Sequence, residues 1–224
     1  MPLPTILLSR PRADSDRFAA RLAGDPALAP LPVLIAPLLR IEPVPHDPAL
    51  LAQADALLFT SAHAVPSAGA GRGRRAWCVG GHTAAAARAA GFDVVEGPGD
   101  AAGLAPMIAP VVADLIHPRG RHIARDLGAR GVVVYDQVPQ APPPQALDLL
   151  AGQAPVILPL FSPRSARLAA DMAAGARAPL WIAPISEAAR AAWQGPAARC
   201  ETAASPDAKG IHEAIRRLIA PEQS

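Results

Sequence analysis

Two stretches of this chain repeat one another in order and in content, and that restricts the fold to a unit used twice. Leu57-Leu58-Phe59-Thr60-Ser61 is answered by Leu158-Pro159-Leu160-Phe161-Ser162, which aligns Ser61 with Ser162. Trp77 to Ala84 is answered by Leu180 to Glu187, aligning Thr83 with Ser186, and Gly99 to Gly103 is answered by Pro206 to Gly210. The aligned positions lie 101, 103 and 107 residues apart. Each repeat is an apolar strand, a hydroxyl-bearing turn and an Ala-rich helix. Open α/β sheets bind ligands in the crevice beyond their strand ends, so a small-molecule site between two such units is the default expectation.

The rest of the chain alternates in the same way. A buried strand over 4–9 leads to an amphipathic helix over 14–23, and Asp47-Pro48 carries a capping carboxylate before a first-turn proline. Strands are predicted at 55–60, 76–79, 92–95, 114–117 and 131–136, with helices at 83–90, 101–113 and 121–128. After 143 come a helix, strands at 155–160, 180–183 and 198–201, and helices at 163–174, 186–193 and 206–219. This alternation predicts parallel sheets covered on both faces, in two flavodoxin-like α/β domains. Two extended stretches, 32–44 and 132–140, run out into prolines on either side of a complete strand–helix set. They read as crossings: residues 38–137 form an inserted domain, and 1–35 fold with 141–224.

Composition removes several function classes. Hydrophobic residues make up 51% and aromatics 4%, so Ala and Leu carry the core. The net charge of +2 is too small for nucleic-acid binding. No apolar run approaches the roughly 18 residues of a membrane span. Met1 to Leu8 lacks the form of a secretion signal, so a cytoplasmic protein is expected. Cys78 and Cys200 lack metal or redox spacing and read as buried small hydrophobes. No metal is expected: the six histidines lack ligand spacing, and His117 and His122 read as surface residues. The glycine–arginine stretch 69–75 precedes a strand, where a dinucleotide fingerprint must follow one, and reads as a flexible, solvated connection. There is no nucleophile elbow and no carboxylate pair at strand ends.

Hydroxyls are what repeat at the strand ends: Thr60-Ser61, Thr83, Ser162 and Ser186, each opening a helix. Ser and Thr are favoured N-caps in any protein. Four at matching ends of duplicated units also suit a carboxylate-binding surface, because helix N-termini carry unpaired N–H groups and partial positive charge. Arg10 and Arg164, at strand-to-helix turns, and Arg119 or Arg121, at the start of another helix, are candidate bidentate partners. The residues alone imply a polyanionic small molecule and do not name it.

In order along the chain, these motifs resemble the uroporphyrinogen-III synthase family. The resemblance rests on Leu7 to Pro11, Phe59 to Ala62, Val79 to Ala84, Gly99 to Leu104, Pro118 to Arg121, Val134 to Gln137, Phe161 to Pro163 and Ala183 to Ser186. It implies two domains joined by a two-stranded β-ladder, with a cleft between them. It also implies that hydroxymethylbilane loses water and closes to uroporphyrinogen III, its D ring inverted through a spiro intermediate. No cofactor is implied. Thr60, Ser61, Thr83, Ser162 and Ser186 fall on family cleft positions, and Tyr135 matches a tyrosine near the reacting end of the bilane. Departures are the Ala183 to Glu187 turn, which lacks a glycine and a hydroxyl and gains Glu187, and His63 where asparagine is usual. Domain closure that folds the bilane and excludes water would then favour the inverted isomer over isomer I. Two rivals are a non-catalytic module closing on an acidic metabolite, and a flavin- or nucleotide-binding protein. A monomer is the default expectation.

Overall fold

Apolar runs too short for helices become the strands of two sheets. The computed structural model describes residues 2–123 and 125–220. In chain order the strands are β1 (Thr5–Leu8), β2 (Val33–Ile35), β3 (Leu39–Pro43), β4 (Ala56–Phe59), β5 (Arg75–Cys78) and β6 (Asp93–Glu96). They continue with β7 (Leu115–Gly120), β8 (Arg130–Pro139), β9 (Val156–Leu160), β10 (Leu180–Pro184) and β11 (Arg199–Cys200). The α-helices are α1 (Arg12–Ala23), α2 (Pro48–Ala52), α3 (Gly81–Ala89) and α4 (Ala101–Ile108). Then come α5 (Pro144–Leu150), α6 (Pro163–Met172), α7 (Glu187–Ala192) and α8 (Ala208–Ile219). The chain divides into unit 1, residues 1–40 with 139–224, and unit 2, residues 41–138.

Unit 1 holds a parallel sheet in the order β11-β10-β9-β1-β2. Successive side chains point to opposite faces, and both faces are covered. Ile6 and Leu8 pack with Phe18 and Leu22 of α1 and with Ile211 and Ile215 of α8. Leu7 joins Leu158, Leu150 of α5 and Ala166 and Ala169 of α6. Burial on both sides is why these strands read as unbroken apolar runs rather than alternating ones.

Unit 2 has the order β3-β8-β7-β4-β5-β6. The pairs among β4 to β8 are parallel. β3 runs antiparallel to β8: Val44 N–H donates to Val134 at 2.9 Å and Gln140 N–H to Leu38 at 3.0 Å, in opposite chain directions. This pair matches the two-stranded ladder that the resemblance implies. Counted from β1, unit 1 has the strand order 2-1-3-4-5 of a flavodoxin-like sheet. Counted from β7, the β8-β7-β4-β5-β6 part of unit 2 has the same order. The two sheets therefore share a layout and differ in where the chain enters it.

Several expectations need correction. No helix occupies 121–128: the described residues there form bends and irregular chain. Arg121 N–H instead donates to Tyr135 at 3.0 Å, prolonging the strand pairing, and Asp126 accepts from Gly128 N–H at 2.9 Å in a tight turn. Residue 124, inside that expected helix, lies outside the described residues. Ser61 opens a 3₁₀ helix over Ala62–Ala68, not an α-helix, with Pro66 inside it. α4 ends at Ile108, short of 113.

The glycine–arginine stretch is exposed over most of its length, as expected, yet it is fastened by one of its side chains. The Arg74 guanidinium donates to the carbonyls of Leu51, Ala54, Ala68, Ala70 and Gly71 at 2.6–3.2 Å. It also lies 5.2 Å from the ring centre of Phe92. Cys200 is exposed, against expectation, because β11 is a two-residue edge strand. Cys78 is buried, which pushes its thiol up to about 11 and leaves it inert.

Candidate substrate-binding turns

A flavodoxin-like sheet offers its ligand crevice where the strand order reverses, beyond the carboxyl ends of the strands. In unit 1 that point lies between β1 and β9, paired only at Thr5↔Val156 and Ile6↔Ile157. In unit 2 it lies between β7 and β4, paired only at Ala56↔Leu115 and Leu57↔Ile116. A proline follows soon after on one strand of each, Pro159 in β9 and Pro118 in β7. Proline has no N–H for a ladder, so such positions suit strands that part.

Carrying these registers across the offset of 101 that aligns Ser61 with Ser162 matches Leu8 with His117, Arg10 with Arg119 and Phe161 with Thr60. Arg10 and Arg119 thus hold equivalent places. In unit 1 the Arg10 guanidinium lies 4.1 Å from the ring centre of Phe161 and 3.4 Å from Asp14. Burial draws its pKa down, and Asp14 opposes that shift. Ser162, directly after Phe161, caps α6 in a capping box: its hydroxyl accepts from Ser165 N–H, and the Ser165 hydroxyl accepts from Ser162 N–H, both at 3.0 Å. Arg164 is half-buried in the first turn of α6. Ser186 caps α7 by accepting from Ala189 N–H at 3.3 Å, and Glu187 pairs with Arg190 at 3.3 Å.

In unit 2 the Thr60 hydroxyl lies 3.0 Å from His117 Nε2, a bond from β4 to β7 past their last paired residues. His117 is 2% exposed, so it is not the surface residue expected from its sequence neighbours, whereas His122 is exposed. Burial, helped by Arg119, lowers the His117 pKa to about 4, so the ring is neutral at pH 7. Ser61 accepts from His63 N–H at 3.3 Å, and the His63 ring meets Tyr135 edge to face at 5.8 Å between centres. Tyr135 pairs in register with Gly120. A Cβ on Gly120 would come within 2.7 Å of the Tyr135 ring, so glycine makes room for the phenol. Arg119 belongs to β7 rather than to a helix start, and it lies against Gly131, where a Cβ would meet its Nε at 2.4 Å. Thr60, Ser61, His63, His117 and Tyr135 thus gather at one sheet end, while Arg119 turns along β8.

Thr83 is not a cap. It sits in the first turn of α3, 5% exposed, and the residue matching Ser186 is Gly80, which like Ser186 stands two positions past its strand. A Cβ at Gly80 would lie 2.8 Å from the Gly99 Cα, so the close chain leaves no place for a serine. The consequence is chemical. Amides at the starts of α4, α6, α7 and α8 are committed to Asp100, Ser162, Ser186 and Asp207. No side chain caps α3, whose first-turn amides and positive dipole end suit an anion. Among the described residues no group of three His, Cys, Asp or Glu side chains is placed to hold a metal ion.

Sequence reasoning missed His117 and Gly80. The offset of 101 gives no signal for His117 by itself, because the match with buried Leu8 also needs the β1–β9 and β4–β7 registers. No helix among the described residues is long and apolar enough to cross a membrane. None of the curated proteins matches the sequence. The fold is similar to that in the crystal structure of uroporphyrinogen-III synthetase from Helicobacter pylori 26695, with a TM-score of 0.61 and 16% identity. That likeness covers 96% of this chain and 100% of the other. The family model for uroporphyrinogen-III synthase HemD matches residues 31–211, through all of unit 2 and most of the second part of unit 1. A match over that much of the sequence, on a duplicated flavodoxin-like fold, means that the chain belongs to the uroporphyrinogen-III synthase family, enzymes of tetrapyrrole synthesis.

Proposed function

We propose that this chain is a cyclising hydro-lyase that converts hydroxymethylbilane to uroporphyrinogen III, working as a cytoplasmic monomer without a cofactor. The family match over residues 31–211 carries the reading. The bilane is an octacarboxylate, and the uncapped start of α3, the cap hydroxyls of Ser61, Ser162 and Ser186, and the cations Arg10, Arg119 and Arg164 suit such a ligand. Thr83, buried within α3, would act by setting the position of that helix start rather than by touching substrate.

In the proposed reaction the terminal hydroxymethyl carbon loses its hydroxyl, which takes a proton and leaves as water. The substituted carbon of ring D then attacks the azafulvene carbon. In the spiro intermediate the bond from that ring D carbon to its original bridging methylene breaks and re-forms at the unsubstituted α carbon of ring D, whose hydrogen leaves as a proton. Tyr135 would donate the hydrogen bond that helps the hydroxyl depart. The rest of the rate comes from holding the two reacting carbons in line. Isomer analysis of the product formed from hydroxymethylbilane tests the assignment. Uroporphyrinogen III is expected, and isomer I alone at the spontaneous rate would reject it. Tyr135→Phe should lower kcat about tenfold or more; an unchanged rate would remove the phenol from the mechanism.

A further inference from the structure

The bond between His117 and Thr60 has no counterpart in unit 1, where Leu8 and Phe161 hold the matching places. Leu115, on the same strand as His117, and Phe59, next to Thr60, are fully buried, and the charges that act on the ring are Arg119 and Asp126. An imidazole buried at 2% exposure gains less from transfer out of water than a leucine would. Among the described residues it bonds a half-buried hydroxyl at the carboxyl end of β4, one residue before the Ser61 cap.

We propose that His117 is a positioning residue: its Nε2–H donates to the Thr60 oxygen and thereby aims the Thr60 O–H outward as a donor to a substrate carboxylate. The inference rests on the synthase reading for the nature of the substrate. A neutral imidazole has one donor and one acceptor nitrogen, and only the tautomer protonated at Nε2 leaves the hydroxyl hydrogen free for a ligand. The opposite tautomer would draw that hydrogen inward and offer lone pairs to an anion. Burial, with Arg119 nearby, keeps the ring neutral, so the choice is between these two forms. Donation from the ring also polarises the hydroxyl and strengthens its outward bond.

Two measurements test this. ¹⁵N shifts of the His117 ring in the ligand-free protein read the tautomer; Nε2–H is expected, and Nδ1–H would overturn the proposal. Steady-state kinetics on hydroxymethylbilane are then compared for His117→Phe, Thr60→Val and the double variant. Each single change should raise KM about tenfold, the size of one lost hydrogen bond to a charged group, with kcat within about a factor of two. The double variant should be no worse than either single one, because one residue acts through the other. Effects that multiply, or an unchanged KM in His117→Phe, would overturn the proposal. If His117→Phe does not fold, Thr60→Ser and His117→Gln replace it, and full KM loss in Thr60→Ser would overturn the proposal too. A wild-type protein that makes only isomer I rejects the synthase reading, whereas active wild type with indifferent variants rejects this inference alone.

Discussion

The two units share one strand order and spend their polar residues differently. In unit 1 each connection from β9 onward is a capped α-helix that closes its own hydrogen bonds, and the switch point is bridged by a guanidinium over a ring. In unit 2 the β4–β5 connection is a 3₁₀ helix held from outside by Arg74, and β7–β8 has no helix among its described residues. Its switch point is bridged by a hydrogen bond. A layout can thus persist while regular helices give way to single side chains. The substituted unit then depends on those side chains one at a time.

Arg74 is the sharpest case. Arg74→Ala should destabilise unit 2 by ~4 kcal/mol, because several half-buried carbonyls lose their donor together. Denaturant melts and limited proteolysis of residues 41–138 would show it, and a loss below ~1 kcal/mol would mean that the stretch holds without its guanidinium.

Next in size is a pH effect at the unmatched histidine. The folded pKa of His117, about 4, lies below the ordinary value of 6.5, so the unfolded chain takes up this proton first. Its share of stability is complete above pH 6.5 and declines as pH falls toward 4, by ~3 kcal/mol. His117→Leu installs the unit 1 residue and should remove that decline. Melts of both proteins between pH 7 and 4 that stay parallel would contradict it.

The caps offer a smaller and opposed pair. Gly80→Ser restores the repeat in sequence yet should cost ~2 kcal/mol, since the added carbon meets the Gly99 backbone. Ser186→Gly, the reverse change in unit 1, should cost only ~0.3 kcal/mol. Equal losses would mean that the Gly99 contact relaxes freely.

Much of this was open to reading in the residues. The alternation of strands and helices follows from apolar runs, and Ser61, Ser162, Ser186, Asp100 and Asp207 cap as their types suggest. Thr83 was misaligned because a glycine cap leaves no hydroxyl for an alignment to find. Strand–helix alternation predicts a helix over 121–128, but Arg121 is drawn into pairing with β8 and with Asp136 at 2.8 Å. The shared strand order was not legible, since Thr5–Leu8 and Leu115–Gly120 have little in common beyond burial. The site suffered most where its residues meet only through a strand neighbour, as Thr60 and His117 do.

The point of chain entry also sets an order of events during synthesis. All strands of unit 2 leave the ribosome as one uninterrupted run, so its sheet can close as soon as β8 emerges. β1 fares otherwise: it is the central partner of β2 and β9, and β9 follows it by about 150 residues. Until then the edge of β1 that faces β9 stays unsatisfied while a finished neighbour lies next to it along the chain. Late truncation should therefore strand an intact unit 2 beside an open half-sheet, a product exposed to aggregation through that edge.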